Sequence, residues 1–447
     1  MKSAVNPGGP TPSMGRARNL MEMAFVLDLS AAKGLLEQFA SVRSKTEQLA
    51  EGLSDADASV QSMPDASPTK WHLAHTTWFF ETFVLRTGVA GYVPFDHRYH
   101  YLFNSYYEAE GPRLARHLRG LLTRPSLAEI MQYRSHVTQA IKVHFACLPP
   151  SLLELIELGC HHEQQHQELL QTDILHLFGS NPLLPAWHPG DMSASGNSSE
   201  PHELRWVTGR CGPVEIGHDG PGFAFDCETP RHTTWLSPHA LSSRLVTNAQ
   251  WRAFVDAGGY RDPDLWLSDG WAWVKQDHIE APLYWQRAAD GHWGSQFGPR
   301  GTVGLAEHAP VRHVSYYEAD AFARWAGARL PTEAEWEAAA ALLDPLKGPF
   351  LESVAPGIPE DDTSDAPLRQ MYGELWQWTA SAYLPYPGFR PAAGAVGEYN
   401  GKFMSGQFVL RGGSCATPRG HVRPSYRNFF YPHQRWQFTG VRLARNL

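Results

Sequence analysis

The sequence predicts two domains of different class, an N-terminal four-helix bundle followed by a C-terminal irregular α+β domain. Three observations carry this. An apolar rhythm of helical period repeats through the first part of the chain. A run rich in Gly, Pro, Ser and Asn interrupts it at 179–203, as a linker would. Beyond that run come short strand-like segments with much Gly and 13 of the 16 tryptophans, enough aromatic surface for a separate core. The expected organisation is a flexible 1–27, a helical domain 28–178, a linker 179–203 and an α+β domain 204–447.

At 447 residues and 43% hydrophobic composition the chain can build both cores. A net charge of −8 with both signs interspersed leaves no basic footprint for nucleic acid or an anionic membrane, so small-molecule partners are expected. The five cysteines form no C-x-x-C pair and are odd in number. That argues against a disulfide framework or a structural zinc site and for a reducing, cytoplasmic setting. The first residues lack the apolar core of about 7–15 residues that a signal peptide needs. No later run approaches the roughly 18 apolar residues of a membrane span.

The first helix is expected at about 29–53, with Ser30 as its cap. Ser67 as N-cap and Pro68 at the first turn predict a second helix through TKWHLAHTTWFFETFVL. A third starts at Ser126, and a fourth spans Ser151 to Phe178. Between the second and third lies an irregular stretch, 88–125, too aromatic for disorder and long enough to be functional. It holds Tyr106 and Tyr107, then Arg113, Arg116 and Arg119 three residues apart, a spacing suited to bidentate capture of a carboxylate. In the second domain, short helices follow Thr247 and the capping boxes Ser315/Glu318 and Thr332/Glu335.

The fourth helix carries the chemistry. Leu155, Leu158, His162, Gln165, Leu169 and Thr172 share one stripe, and His166 lies one turn beyond His162. Both imidazoles therefore face inward, with Cβ atoms about 5–6 Å apart, and can converge on one first-row metal ion. His162-Glu163-Gln164-Gln165-His166 also matches the zinc-protease helix, in which Glu163 would be the general base. Leu169 stands where that helix would continue with glycine, and no glutamate follows at helical distance past Phe178, so a third ligand must come from elsewhere. The second helix offers two: His75 shares a stripe with Trp71, Trp78 and Thr82, and His72 with Thr76, Phe79 and Phe83. Periodicity leaves both open. Three histidines without a carboxylate leave coordination positions for substrate and oxygen or water.

Several longer motifs carry a family resemblance. LVTNAQWRAFVDAGGY, WLSDGWAWV, ARLPTEAEWEAAA, ELWQWTASAY and VLRGGSCATPRG resemble the formylglycine-generating-enzyme fold, a C-type-lectin-like α+β domain. The bundle with LAH and HEQQHQELL resembles a DinB domain. The two together are similar to the ergothioneine-biosynthesis sulfoxide synthase (EgtB) family of non-haem iron enzymes. This resemblance implies Fe(II) held by His75, His162 and His166, with hercynine (N-trimethylhistidine), a sulfur donor and O2 as partners. Gln165 would contact hercynine, and RPSYRNFFYPHQRWQFTGVRLAR would supply Asn428, Phe429 and Phe430 to the substrate site. Trp378, Tyr383 and Tyr386 are further expected binding residues, the two tyrosines also as rival phenols.

Members that use γ-glutamylcysteine tend to have an acidic residue where Phe430 stands and lack the loop FNSYYEAEGPR. The resemblance is therefore to the subtype that takes free cysteine, with Tyr106 or Tyr107 as catalytic phenol and the arginine run as carboxylate clamp. Its product would be hercynylcysteine sulfoxide. The rival functions are an ovothiol-type 5-histidylcysteine sulfoxide synthase, a selenium-inserting relative, a zinc-dependent DinB-type thiol transferase or hydrolase, and a ligand-display module. No nucleotide loop of a methyltransferase follows the second domain, and no pair of nearby cysteines there suits formylglycine generation.

Overall fold

A computed structural model describes residues 14–187, 203–351, 366–391, 397 and 400–447, with side chains from residue 32. Four principal helices form the first domain: α1 (Met14–Leu49), α2 (Thr69–Phe80), α3 (Leu127–His144) and α4 (Pro150–Gly179). Helix α1 starts within the stretch expected to be flexible, so Ser30 lies inside it rather than at its cap. Helix α3 begins as expected, with Ser126 and Glu129 exchanging capping hydrogen bonds. Helix α4 opens on Pro150, whose missing N–H and fixed φ suit a first turn.

Helix α2 departs from expectation at its start. Pro68 is the N-cap and no side chain caps the helix. The backbone N–H of Ser67 instead donates to Asp173 of α4 at 2.8 Å, a charge-assisted bond that draws the segment against α4. At its other end α2 widens into a π-helical turn, Glu81–Leu85. Gly159 lets α4 approach this region closely, since a Cβ there would lie 2.5 Å from the Phe80 ring.

The second domain holds a four-stranded sheet in the spatial order Asn428–Phe430, Phe408–Arg411, Trp376–Ala382, Thr439–Gly440, with smaller two- and three-stranded sheets around it. Its helices Asn248–Asp256, Tyr316–Trp325 and Glu333–Ala340 start at the expected caps Thr247, Ser315 and Thr332. Gly412, at φ 100°, turns the chain from the sheet toward α4, and a Cβ there would meet the Met371 carbonyl at 2.4 Å. Of the expected linker, residues up to Trp187 are described, and Trp187 donates its backbone N–H to Pro299 of the second domain. The rest, 188–202, lies outside the described residues. All five cysteines are free. Among the described residues no helix is long and apolar enough to cross a membrane.

Candidate active site

Helices α2 and α4 bring His75, His162 and His166 together, buried, with one nitrogen of each within 4.8 Å of the others. Trp71 and Trp78 stack on His75 at 4.6 and 5.7 Å between ring centres. Its Nδ1–H donates to the Phe103 carbonyl at 2.6 Å, which leaves Nε2 buried, without a hydrogen-bond partner among the described residues and with its lone pair available. Burial holds all three imidazoles neutral, with His162 pushed down to about 3 and the other two displaced in the same direction. Neutral imidazole is the form that ligates a metal, so the triad fits a divalent first-row ion. Of the two candidates on α2, His75 completes the triad. His72 stands beside it, with Nδ1 2.9 Å from Nδ1 of His166.

Glu163 faces away from this centre. Its two oxygens accept from Arg43 of α1 and Arg134 of α3, each at 2.8 Å. Burial alone would raise its pKa, but the two guanidinium groups outweigh it and hold the carboxyl at about 2. The residue that would be general base in a zinc protease is here a fully paired core anion.

Beside the histidines, a cavity of about 400 Å³ opens at the seam between the domains. The first domain lines it with Tyr106, Arg116, Arg119 and Gln165, and the second with Asn428, Phe429 and Phe430. Arg119 is buried flat on the Trp71 ring at 3.3 Å and donates to Ser67 at 2.8 Å and Ser105 at 3.2 Å. Arg116 is exposed at the mouth. The remaining expected residues do not line the cavity. Arg113 pairs with Glu108 at 2.5 Å outside it. Tyr107 is buried one layer back, against Trp78 and Phe83, and stacks on Tyr106 at 4.7 Å. Tyr383 is also one layer back, stacked on Phe429 at 4.1 Å. Trp378 donates to the Val314 carbonyl in the second-domain core. Tyr386 accepts from Arg411 at 2.9 Å and donates to Glu333 at 3.3 Å, within a buried ionic network.

Other residues at the seam carry no local sequence signal. Glu168 accepts from Trp376 at 2.7 Å, Ser414 at 2.6 Å and Thr417 at 2.7 Å, all from the second domain. Tyr426 accepts from the Gln165 amide at 2.7 Å, and its hydroxyl lies 3.1 Å from Nε2 of His421. The contacts of Glu168 and Gln165 across the seam join residues more than 200 positions apart.

Two domain families match the chain. The DinB superfamily matches residues 38–170, and the sulfatase-modifying factor enzyme 1-like domain matches 192–347 and 353–447. A hercynine oxygenase of Mycolicibacterium thermoresistibile is 34% identical over 445 residues, covering 92% of this chain and 94% of its own length. One from Mycolicibacterium smegmatis is 32% identical, covering 93% of this chain and 99% of its own length. The formylglycine-generating enzyme of Thermomonospora curvata is 33% identical over 205 residues, 37% of this chain and 66% of its own length. Matched at 34% identity along nearly its whole length, the chain belongs to the hercynine oxygenase family of oxygen-using oxidoreductases.

Proposed function

We propose that the chain is an Fe(II)-dependent sulfoxide synthase that joins cysteine to hercynine, with O2 as oxidant, to give hercynylcysteine sulfoxide. The balance closes without an external reductant. One S–H and one C–H hydrogen leave, a C–S bond and an S=O bond form, and the second oxygen atom departs as water. The observation that carries the proposal is that one cavity beside the three-histidine centre is lined by the Tyr106 phenol, the Arg116 and Arg119 guanidinium groups and the Gln165 amide.

His75, His162 and His166 would hold Fe(II), which would supply redox chemistry toward O2 and favour the thiolate form of the sulfur donor. Arg119, preoriented by Trp71, Ser67 and Ser105, takes the carboxylate of the sulfur donor, and Arg116 adds positive charge at the mouth. Gln165, fixed by Tyr426, presents its carbonyl oxygen to the hercynine imidazole, and Asn428 offers a second polar contact. Phe429 and Phe430 exclude water and give this wall no charge for a longer donor to meet. Tyr106 donates the proton that the reduced oxygen requires, with Tyr107 stacked behind it to hold the ring.

The test is turnover of the full chain, loaded anaerobically with Fe(II), on hercynine with either cysteine or γ-glutamylcysteine. Cysteine is expected to be preferred by at least about tenfold in kcat/KM. Preference for γ-glutamylcysteine would overturn the donor assignment, and absence of sulfoxide with both would overturn the activity.

A further inference from the structure

We infer that Asp173 and His72 form a relay that fixes the tautomer of His166, making His72 a positioning residue for the metal centre. Nε2 of His72 lies 3.0 Å from Oδ2 of Asp173, and its Nδ1 lies 2.9 Å from Nδ1 of His166. All three side chains are buried. Oδ2 of Asp173 also accepts the backbone N–H of Ser67, which anchors the carboxylate.

The proton positions follow from the chemistry of the groups. A carboxylate only accepts, so Nε2 of His72 carries the hydrogen. In a neutral imidazole the other nitrogen then accepts, so the hydrogen between the two rings belongs to Nδ1 of His166. His166 is left with the lone pair on Nε2. His75 reaches the same tautomer by a different device, donating from Nδ1 to the fixed Phe103 carbonyl. One ligand is thus set by backbone and the other by a carboxylate–imidazole chain whose members line the substrate cavity. Partners of this kind orient a ligating ring and raise its basicity, and their removal typically weakens metal binding about 10–100-fold.

The inference rests on the histidine triad being a metal site, and one experiment separates the two claims. Anaerobic Fe(II) affinity and the visible absorption of bound Co(II) are measured on the full-length protein and on His72→Phe, His72→Gln, Asp173→Asn and the double variant His72→Phe/Asp173→Asn. His72→Phe removes the acceptor. Asp173→Asn keeps an oxygen acceptor for Ser67 and His72 but removes the negative charge that makes His72 a strong acceptor at Nδ1. Both are expected to lose about 10–100-fold in affinity and to alter the Co(II) spectrum, with metal-free melting close to that of the parent. His72→Gln, which can donate and accept at once, should restore most of the affinity. Asp173→Asn should add nothing in the His72→Phe background.

Parental affinity and spectrum in Asp173→Asn would overturn the relay, as would additive losses in the double variant. Should His72→Phe fail to fold, Asp173→Asn and His72→Gln decide alone. A parent protein that bound neither metal would instead overturn the metal-site assignment.

Discussion

Helix α4 carries two buried glutamates five residues apart, and the molecule treats them in opposite ways. Glu163 points into the bundle, where Arg43 and Arg134 neutralise it. Glu168 points to the seam, where three uncharged donors of the second domain receive it and burial pushes its pKa up against their pull. His162 and His166 lie between these two faces. The bundle face therefore anchors the helix that carries His162 and His166 through charge pairing within one domain. The seam face closes the substrate cavity through hydrogen bonds between domains. Stability and function are divided between the two sides of one helix.

Glu163→Gln tests the bundle side and should have the largest effect on stability. It leaves buried Arg43 without its paired carboxylate and Arg134 with only the more exposed Glu47 at 3.4 Å, which costs about 3–5 kcal/mol. Urea unfolding followed by helical circular dichroism measures it, and a loss under about 1 kcal/mol would erase the contrast. Glu168→Gln should cost less, about 1–2 kcal/mol, because an amide keeps one acceptor for neutral donors. Its signature is elsewhere: protease cleavage around the linker should rise while the melting of the bundle barely moves. Equal losses from the two substitutions would show that the faces do not differ.

Arg119→Ala and Arg113→Ala sharpen the view of the cavity. Loss of Arg119 should raise the cysteine KM about tenfold, near 1.4 kcal/mol, with hercynine KM little changed. Arg113, paired with Glu108 outside the cavity, should be neutral by the same steady-state assay. A smaller change in free energy than that from Arg119 is expected from the phenols. Tyr106→Phe should lower sulfoxide relative to simple oxidation of cysteine at sulfur by several-fold. Tyr383→Phe, one layer behind Phe429, should leave that product ratio unchanged.

The same division explains what the sequence made legible. His162 and His166 stood out because a four-residue spacing on a half-buried helix gives direction. His72 and His75 could not be separated, because every residue of α2 is buried and periodicity then points nowhere. Only the family resemblance singled out His75. The caps at Ser126, Thr247, Ser315 and Thr332 were local and held. The cap expected at Ser67 did not form, since a carboxylate 106 positions away engages that segment. Phe429 and Phe430 line the cavity, but Trp378 and Tyr386 do not: an aromatic residue in a strand, or in the loop that follows it, reads alike at the seam or in the core. Trp376 reaches Glu168, whereas Trp378 lies two residues deeper, about 6–7 Å further along the strand. Glu168 and Tyr426 were silent because their partners come from the other domain.

The central claim is that the histidine centre at this seam couples the two substrates with oxygen taken from O2. The Fe(II)-loaded chain, supplied with hercynine, cysteine and isotopically labelled oxygen gas, should give a sulfoxide carrying one labelled oxygen atom by mass spectrometry. His166→Ala should give none. A product whose oxygen came from water, or one formed equally by His166→Ala, would contradict the account.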